Sequence, residues 1–529
     1  MSEKKKTGKT GQSSTPEPDG SPSAAPEVTR REFMAGGLAV TGALVLGQAA
    51  IPGGLLAAEP AGKAPDTKAL QAKIKGRVLT AADPDFDSTA LDVWNKFGPV
   101  TRRPALIVRV AEEDDVVQAV RFARANGLKV AIRGGGHNWA NPSIRQGGML
   151  IDLTALNQVV SIDVAARKAV VQPIISNREI QARLNPLGLS YPSGHCPQVK
   201  LSGYLLSGGM SWNHGVWGPG TGSVEALELV TAEGKRIVAD KNRNADYYWA
   251  ARGAGPGFFG VCLRYHLKLY DLPKAITGSS YVYPLSEAAT VASWLESLAP
   301  TLPPSMELTL FLLQAPGDVA AKTPAGDKGK VCMVTATMFA ETPGEAAAAL
   351  TLLDGCPVLA RCLKSERNKP TTFEALFDAS GALWPQNQRN HVDAMFLGAP
   401  LGDMAEAVRA HFADSPSPTS LILFAVYTGP DGPPRLPDAA FSMTAKYYGG
   451  PWTMWTDQAQ DQAVTAWHED CVKRLAPFLA GRYVSESETT AHPEYVRESY
   501  SQASWRRLAE LRAKHDPDGV FFNYFDALS

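Results

Sequence analysis

The sequence predicts an α+β protein with two lobes. At 529 residues the chain is longer than one hydrophobic core covers, so we expect two packed units. A β-α-β pattern begins at Pro104. From about Ala275 to Phe478, strand-like segments interleave with amphipathic helices, which indicates an antiparallel sheet covered by helices on one face. One lobe should therefore contain the β-α-β unit, and the other should be built on the sheet.

In the first lobe, apolar spacing and turn residues define the elements. A helix over 114–125, closed by Asn126-Gly127, separates two strands, Leu106–Val110 and the one that ends at Arg133. The segments Met149–Leu153 and Val159–Val171 predict two or three antiparallel strands. Further along are a capping box at Ser176–Glu179, a hairpin over 223–238 that turns at Glu233-Gly234, a helix from Asp246 to Gly253 and a strand over Gly260–Leu269.

The second lobe shows alternating strands and helical stretches. The predicted strands are Glu307–Leu313, Lys330–Phe339, Leu421–Tyr427 and Thr444–Tyr448, and the predicted helices are Pro343–Leu353 and Asp457–Leu475. Four tryptophans in this lobe fit a core more readily than a ligand platform, and both interpretations stay open: Trp384, Trp452, Trp455 and Trp467. A last helix from Ser504 should end at Asp516-Pro517.

Composition excludes several classes of partner. A hydrophobic content of 44% and a formal charge of −1 give no reason to expect nucleic acid or an anionic membrane as a partner. The six cysteines are too sparse and irregular for a disulfide framework or a zinc site, so we expect no metal. Only Cys356 and Cys362 are close in sequence, and a bridge between them remains open.

The first fifty residues have the form of an export signal. Residues 1–28 are rich in Ser, Pro, Lys, Gly and Thr, which predicts disorder. Paired Arg30 and Arg31 with Phe33 then precede a weakly apolar run to Ala50, as in a twin-arginine signal. The alternative is a membrane anchor, which the glycines and threonine of the run disfavour. We therefore expect an exported protein, periplasmic or secreted, that engages the export machinery.

Two glycine-containing stretches predict the functional site. Arg133-Gly134-Gly135-Gly136-His137-Asn138 follows a buried strand, and three consecutive glycines let backbone N–H groups approach a phosphate closely. A triple glycine alone is weak evidence, because many are only turns. The second stretch is Pro192–Val199, which contains Gly194, His195 and Cys196 and precedes Ser202–Gly209.

Together these stretches resemble the berberine-bridge-enzyme-like branch of the vanillyl-alcohol oxidase / p-cresol methylhydroxylase (PCMH) superfamily of flavoproteins. The resemblance covers about Pro104 to Asp271 and returns in the last fifty residues. It implies a two-lobed PCMH-type FAD-binding fold with an antiparallel-sheet substrate domain, whose C-terminal segment returns to the FAD domain. It also implies FAD bonded covalently to His137 and Cys196. Alone, His137 would fit a turn-capping histidine, and Cys196 a small buried hydrophobic residue.

The resemblance extends to the other cofactor contacts. Those expected are Arg133, Gly134, Gly135, Gly136, His137, Asn138, Gly194, Cys196, Val199, Gly203, Gly208, Gly209, Gly260 and Val261. The chain departs from the family pattern at Lys200, at Tyr204 and at Phe258-Phe259. The implied organisation is a disordered region and signal over 1–58, a lead-in over 59–97, the FAD-binding domain over 98–272, the substrate domain over 273–478 and a C-terminal segment over 479–529.

A base that removes the substrate's proton should come from the stretch Arg482–Glu488. Tyr483 matches a family tyrosine, and Glu486 stands where a second tyrosine is usual. On a strand, Tyr483 and Ser485 would point one way and Glu486 the other, so both candidates cannot face the flavin. We favour Glu486, with Tyr483 as the alternative. An exposed acidic strand edge would explain the same residues.

The resemblance implies an exported flavin-dependent oxidase that acts on an alcohol, a sugar hydroxyl or an amine. Molecular oxygen would be the second substrate and hydrogen peroxide the product. Val199, three residues after the cysteine, stands where the family's oxidases carry valine and its dehydrogenases leucine. A dehydrogenase with another acceptor and a flavin-containing binding protein without turnover are the alternatives. No residue of the second lobe indicates which of these substrate classes the protein oxidises.

Overall fold

The computed structural model describes residues 66–95, 102–398 and 400–523. The predicted twin-arginine signal, with Arg30 and Arg31, lies outside these residues. Within them, no helix is both long enough and apolar enough to cross a membrane. The boundaries of the domains named above remain predictions.

The first lobe begins with a small sheet that carries the triple glycine at one strand end. Its strand order is β1-β2-β4-β3, in which β4 pairs parallel with both β2 and β3 while β1 pairs antiparallel with β2. The β-α-β unit is therefore present, with a later strand inserted between its two strands. The elements are α1 Thr67–Gln71, β1 Arg77–Leu79, α2 Phe86–Ala90, β2 Leu106–Arg109, α3 Glu113–Ala125, β3 Val130–Arg133 and β4 Met149–Asp152.

A five-stranded antiparallel sheet completes the first lobe. Its order is β5-β6-β10-β8-β9, and a two-stranded sheet joins β7 to β11. The predicted capping box is present, since Glu179 N–H donates to Ser176 and Ser176 N–H donates to Glu179. The elements are β5 Val159–Asp163, β6 Lys168–Val171, α4 Asn177–Leu184, β7 Leu189–Ser190, α5 Leu201–Leu206, α6 His214–Trp217, β8 Val224–Thr231, β9 Arg236–Asp240, α7 Ala245–Ala250, β10 Gly260–Lys268 and β11 Tyr270–Asp271.

The second lobe is a nine-stranded antiparallel sheet. Eight strands run in the order β15-β12-β14-β13-β18-β19-β17-β20, and β16 also pairs with β19. Its elements are β12 Ala275–Pro284, α8 Ala288–Leu298, β13 Met306–Gln314, α9 Gly317–Ala320, β14 Lys330–Ala340, α10 Pro343–Thr351, β15 Lys364–Pro370, α11 Phe373–Leu383, β16 Arg389–Val392, β17 Met395–Leu397, α12 Leu401–Ala413, β18 Leu421–Val426, β19 Tyr447–Trp455, α13 Asp461–Leu475 and β20 Leu479–Arg482.

Helices cover one face of this sheet. The apolar residues of α8, α10, α12 and α13 pack with the alternate strand residues that point toward them, such as Leu310 and Phe424, and form one buried core. The opposite face looks toward the first lobe and carries Glu307, Thr309 and Thr335. The prediction of an antiparallel sheet is therefore confirmed, but the helices are not confined to one face: Val319 of α9 and Leu383 of α11 pack in a cluster with Phe311 on the opposite face.

The chain then returns to the first lobe. Two helices follow β20, α14 Tyr495–Glu498 and α15 Gln502–His515. Leu508 and Leu511 of α15 pack in the core of the first lobe, and Phe521 makes a parallel bridge to Val130 of β3. The C-terminal segment thus closes against the strand that leads into the triple glycine.

Three predictions about local structure are wrong. Met149–Asp152 is a parallel strand of the small sheet, whereas we expected an antiparallel one. The strand expected over Thr444–Tyr448 runs over Tyr447–Trp455. The strand expected through Arg482–Glu488 ends at Arg482, and the chain turns there. Cys356 and Cys362 are both free thiols, so the bridge left open is not formed.

Candidate functional site

A cavity of about 730 Å³ lies between the first lobe and the open face of the nine-stranded sheet. The triple glycine, the cysteine loop and the turn after β20 all reach it. Among the predicted cofactor contacts, those that line it are Gly134, Gly135, Gly136, His137, Asn138, Gly194, Cys196, Val199, Gly203, Gly260 and Val261. Both candidate bases, Tyr483 and Glu486, line it as well. The structure therefore brings together three stretches that are far apart in sequence.

The triple glycine is a backbone surface with no room for side chains. A Cβ atom on Gly134 would lie 2.1 Å from Ser202 Oγ, and one on Gly135 would lie 2.4 Å from Lys200 Cγ. Gly136 has a φ of +61°, which side-chain-bearing residues rarely adopt. These glycines allow the chain to pass close to Ser202 and Lys200 while its backbone faces the cavity. The cradle fits the close approach of a phosphate-bearing cofactor.

His137 is half-buried where this cradle ends, and its Nε2 atom is buried. Its ring stacks on Trp94, with 4.2 Å between ring centroids, and its Nε2 atom has no hydrogen-bond partner among the described residues. Burial lowers the pKa of His137 to about 4, with a smaller contribution from the charge of Lys200. The imidazole is therefore neutral near pH 7. A buried, unpartnered ring nitrogen at the cavity wall suits attachment to a group placed there.

Cys196 lies on the cavity wall among aromatic residues that include Trp139 and Trp384. Burial raises the pKa of its thiol, and the nearby charge of Glu486 raises it further. The thiol is therefore protonated at neutral pH. Asn177, at the start of α4, donates through Nδ2 to the Cys196 carbonyl at 3.4 Å and holds the cysteine loop in place.

Tyr204, which replaces the family's histidine, is a packing residue beneath the cysteine loop. Its hydroxyl donates to the Pro192 carbonyl at 2.7 Å. Cβ atoms on Gly194, Gly209 and Gly220 would lie 2.8, 2.6 and 2.4 Å from its ring. Three close glycines thus leave space for the large side chain, and any residue other than glycine at these positions would collide with it.

Three of the predicted cofactor residues do not line the cavity. Arg133 is 1% exposed and points away, toward Asp152, whose Oδ2 accepts from Nη2 at 2.9 Å. Gly208 and Gly209 pack against the rings of Phe441 and Tyr204. Arg133 anchors the end of β3, and the two glycines allow side chains to pack closely, so direct cofactor contact at these three positions stays a prediction.

The residues after β20 form a turn that presents both candidate bases. Glu486 N–H donates to the Tyr483 carbonyl at 2.9 Å, which closes a four-residue turn. The expectation that Tyr483 and Glu486 must face opposite ways assumed a strand. A turn removes that alternation, so both side chains lie in the cavity.

Glu486 has the properties of a base held in an apolar site. Its carboxylate accepts a hydrogen bond from the Tyr448 hydroxyl of β19. Burial raises the pKa of Glu486, and the hydrogen bond from Tyr448 and the nearby His195 partly offset that effect. The Tyr483 hydroxyl accepts from Gly209 N–H at 3.1 Å, and burial raises the pKa of Tyr483 well above its ordinary value. Tyr483 therefore stays protonated at neutral pH, which favours Glu486 as the base.

A buried carboxylate between β16 and β17 holds both ends of this turn. Asp393 is 2% exposed and accepts from Arg482 Nη1 at 3.2 Å, before the turn, and from Glu488 N–H at 3.3 Å, after it. His468 Nε2 lies 3.0 Å from its other oxygen. The neighbouring Ala394 donates to the Glu486 carbonyl and accepts from Tyr483 N–H. Asp393 and Ala394 thus fix where Glu486 stands.

Sequence reasoning missed Trp94, Tyr448 and Asp393. Tyr448 was predicted as a strand residue, but its partner, Glu486, lies 38 residues later in the chain. Trp94 precedes the first recognisable motif. Nothing local in the sequence identifies these three, because each acts through a contact made only by the folded chain. No group of three residues suited to hold a metal ion occurs among the described residues.

Comparison with protein families and curated proteins points to FAD. Residues 104–240 match the model of an FAD binding domain. The FAD-linked oxidoreductase janO of Penicillium janthinellum is 28% identical over 423 residues, which is 79% of this chain and 90% of that protein. The (R)-6-hydroxynicotine oxidase of Paenarthrobacter nicotinovorans is 33% identical over 201 residues, 38% of this chain and 43% of that protein.

Solved structures show the same fold. The 6-hydroxy-D-nicotine oxidase of Arthrobacter nicotinovorans superposes with a TM-score of 0.73 at 22% identity and covers 85% of this chain and 97% of its own. The BBE-like 1 protein of Physcomitrella patens gives 0.71 at 19% identity, over 86% and 98%. The grass pollen allergen Phl p 4, named a glucose dehydrogenase, gives 0.72 at 18% identity, over 86% and 98%. The predicted two-lobed FAD-binding fold is therefore confirmed.

Proposed function

Because the chain belongs to the FAD-linked oxidoreductases of the PCMH-type, berberine-bridge-enzyme-like family, we propose that it is an exported oxidase with covalently held FAD. It would oxidise an alcohol, a sugar hydroxyl or an amine and pass the electrons to molecular oxygen. The observation that carries this proposal is the cavity itself. It joins the glycine cradle, His137 and Cys196 to a half-buried carboxylate, Glu486, which the Tyr448 hydroxyl holds by a hydrogen bond.

Each residue of the cavity has a separate role in the proposed reaction. The glycine cradle, His137 and Cys196 would hold FAD, and a bound FAD would supply the redox chemistry, the uptake of a hydride from the substrate carbon. Glu486 takes the proton from the hydroxyl or amine on that carbon, and Tyr448 orients the carboxylate through its hydrogen bond. Tyr483 keeps its own proton and remains hydrogen-bonded to Gly209. Aromatic residues, among them Trp139 and Trp384, form the cavity wall around Cys196.

His137 and Cys196 would hold the flavin at two points. Purified protein should stay yellow after acid precipitation, because a covalent flavin remains in the pellet. His137→Ala should leave only a cysteinyl link and Cys196→Ser only a histidyl one, so mass spectrometry of flavin peptides should find one site in each variant. Colour released wholly into the acid supernatant of the wild-type protein would refute covalent attachment.

A peroxide assay tests the reaction itself. Sugars, benzylic alcohols and secondary amines form the panel, and flavin bleaching under anaerobic conditions is measured alongside peroxide release. Bleaching with peroxide on readmission of air supports an oxidase. Bleaching without peroxide indicates a dehydrogenase, and no bleaching across the panel would leave a flavin-containing binding protein.

The choice of oxygen as acceptor rests on Val199, which lines the cavity three residues after Cys196. Among the structural neighbours, Phl p 4 is named a glucose dehydrogenase and its isoleucine-to-valine variant a glucose oxidase. That pair supports a small side chain as the feature that admits oxygen. Val199→Leu should therefore slow reoxidation of the reduced protein by air and leave its anaerobic reduction nearly unchanged. Equal reoxidation rates would argue against this role.

Export is proposed from Arg30 and Arg31. Replacing both with lysine should keep the protein inside the cell, folded and flavin-loaded, because the twin-arginine route requires the arginine pair. Cell fractionation with flavin fluorescence in the gel band measures this. Unchanged export of the double variant would exclude the route.

A further inference from the structure

A second half-buried carboxylate faces the cavity at some distance from Glu486. Glu307, on β13, has its Oε2 atom 3.1 Å from His195 Nε2, and the side chain of Glu307 is 17% exposed. Its other oxygen, Oε1, is buried and has no hydrogen-bond partner among the described residues. A buried charged oxygen without a donor is costly, so this atom is suited to accept from a bound molecule.

No donor among the described residues is placed to reach that oxygen. His195 packs against Trp212, with 4.0 Å between ring centroids. Its Nε2 atom contacts the Oε2 atom of Glu307, not the Oε1 atom. Burial lowers the pKa of His214 to about 3, so its ring is neutral. Tyr427 is a half-buried phenol whose pKa is raised by desolvation and by the charge of Glu307. The wall is thus aromatic, with one acidic acceptor.

The register of the sheet gives the separation between Glu307 and the proposed base. Thr309 pairs with Ala425, and Ala425 pairs with Tyr448, which hydrogen-bonds Glu486. Glu307 lies two residues before Thr309 on β13. Two strand spacings across and two residues along amount to roughly 12 Å between the Cα atoms of Glu307 and Tyr448. The backbone positions of Glu307 and of Tyr448, the hydrogen-bond partner of Glu486, are therefore farther apart than the width of one six-membered ring.

We propose that Glu307, held by His195, is a specificity residue that binds a hydrogen-bond-donating group at the far end of the substrate. The substrate is then an elongated molecule, with the oxidised carbon at Glu486 and a hydroxyl or protonated amine at least one ring away. The inference rests on the proposed function for the role of Glu486, and it adds the second point that selects the substrate. A carboxylate serves both donors, and the experiment separates them.

The probes are three benzylic alcohols that differ only at the far end of the ring. They are para-hydroxyethylbenzyl alcohol, para-aminoethylbenzyl alcohol and para-ethylbenzyl alcohol. Dissociation constants for the flavin-loaded protein are measured anaerobically from changes in flavin absorbance or from the concentration dependence of flavin reduction. We expect the two donor-ended probes to bind roughly 10- to 100-fold more tightly than the ethyl probe, as for a hydrogen bond to a charged group.

Glu307→Gln should remove most of this preference. The loss of affinity should be larger for para-aminoethylbenzyl alcohol, because its ammonium group loses a charged partner. It should be smaller for para-hydroxyethylbenzyl alcohol, because the amide oxygen of glutamine still accepts a hydrogen bond from its hydroxyl. Glu366→Gln is the matched control: Glu366 lies on the edge strand β15, opposite Ser280, and lines the same cavity three strands from Glu307. It should leave the preference unchanged. Glu307→Asp, which retracts the carboxylate, provides a second variant, and the flavin spectrum reports folding of each.

Four results would overturn the inference: equal binding of the three probes by the wild-type protein, no binding of any probe, a preference that survives in Glu307→Gln, or a preference lost in Glu366→Gln. Failure of the proposed function looks different. In that case no compound of the wider panel would bleach the flavin, while the Glu307-dependent preference in binding would persist.

Discussion

On the helix-covered face of β13, Leu308, Leu310 and Leu312 are each at most 1% exposed. On the cavity face of the same strand, the intervening residues are Glu307, Thr309 and Phe311, and they line the cavity. The contrast continues across the sheet. Val334 and Phe424 join the buried core, whereas Thr335 and Tyr448, which share a register row with Thr309, face the cavity.

The difference shows how one strand separates stability from chemistry. Alternate residues point to opposite faces, so the apolar set can pack against helices while the polar set faces the cavity. The unpaired oxygen of Glu307 and the raised pKa of Glu486 are both unfavourable for folding. The helix-covered face supplies the apolar burial that offsets them. Substitutions on the two faces should therefore change different properties.

The largest expected effect belongs to the cavity face. Glu486→Gln should keep the flavin attached and lower the rate of flavin reduction by about 10²–10⁴, as for loss of a general base. Tyr483→Phe should cost much less, because burial keeps that phenol protonated. Anaerobic stopped-flow spectroscopy measures both rates. A larger loss in Tyr483→Phe than in Glu486→Gln would reverse the assignment.

The same substitution should act oppositely on stability. A raised pKa means that folding favours the protonated carboxyl, so stability is lost as pH rises from the ordinary carboxyl range through the raised pKa. Glu486→Gln removes that loss, and its Tm at neutral pH should be equal or higher. The rate of the wild-type protein should instead rise with pH over the same window, since the base must be ionised. A wild-type rate that is independent of pH there would contradict the assignment.

On the helix-covered face the prediction concerns stability alone. Leu310→Ala removes a fully buried side chain and should lower the free energy of unfolding by about 2–5 kcal/mol. The rate of flavin reduction, measured well below the new Tm, should remain within about twofold, because a change confined to the core does not reach the reacting groups. Denaturant unfolding and stopped-flow reduction give the two numbers. A tenfold slower rate with unchanged stability would show that the faces are not independent.

An intermediate effect is expected where the two regions meet. The turn Tyr483–Glu486, which presents both candidate bases, is called the base turn here. Asp393→Asn removes the charge that holds Arg482 before the base turn and the Glu488 N–H after it. The rate of flavin reduction should fall about tenfold as the turn loosens, since small misplacements of a base are costly. The rate's dependence on pH should also shift, which a loss of stability alone would not cause.

Asp461→Asn is the matched control for that prediction. Asp461 pairs with Arg389 and accepts from Trp455 Nε1 at 2.7 Å, and it makes no hydrogen bond to the base turn. It should lower stability without a shift in the pH profile. If both variants behave alike, Asp393 is a general structural residue.

The fold and the cofactor cradle could be predicted because their signals are local. A capping box, a helix closed by Asn126-Gly127 and a strand that ends in three glycines each depend on neighbouring residues. Two strands that the sequence analysis did not predict lack such local signals. The edge strand Lys364–Pro370 is largely polar, and the strand Ala275–Pro284 contains Gly278 and two serines because one face lines the cavity.

The strand Tyr447–Trp455 was misplaced because Pro451 normally excludes a central strand. Its missing N–H is tolerated here because β17 ends and β16 begins on either side of it, so no ladder donor is required at that point. The base turn was missed for a related reason. Tyr483-Val484-Ser485-Glu486 contains no glycine or proline, and its geometry is set by Asp393 and Ala394, about ninety residues earlier. Contacts of that range leave no pattern in a single sequence.

The smallest effect should come from the register row that contains Thr335, Thr309 and Tyr448, which is called the polar row here. The Thr309 hydroxyl faces the cavity and makes no hydrogen bond within the described residues, so Thr309→Val removes a group that has no partner in the folded chain. The free energy of unfolding should change by less than about 1 kcal/mol, because shape is conserved and no bond is broken. A hydroxyl-rich substrate that lies along the row should lose about three- to tenfold in affinity, as for one neutral hydrogen bond. An apolar alcohol should bind as before. If both substrates lose affinity equally, the row shapes the cavity without contacting hydroxyls; if neither does, the substrate passes over a different part of the sheet.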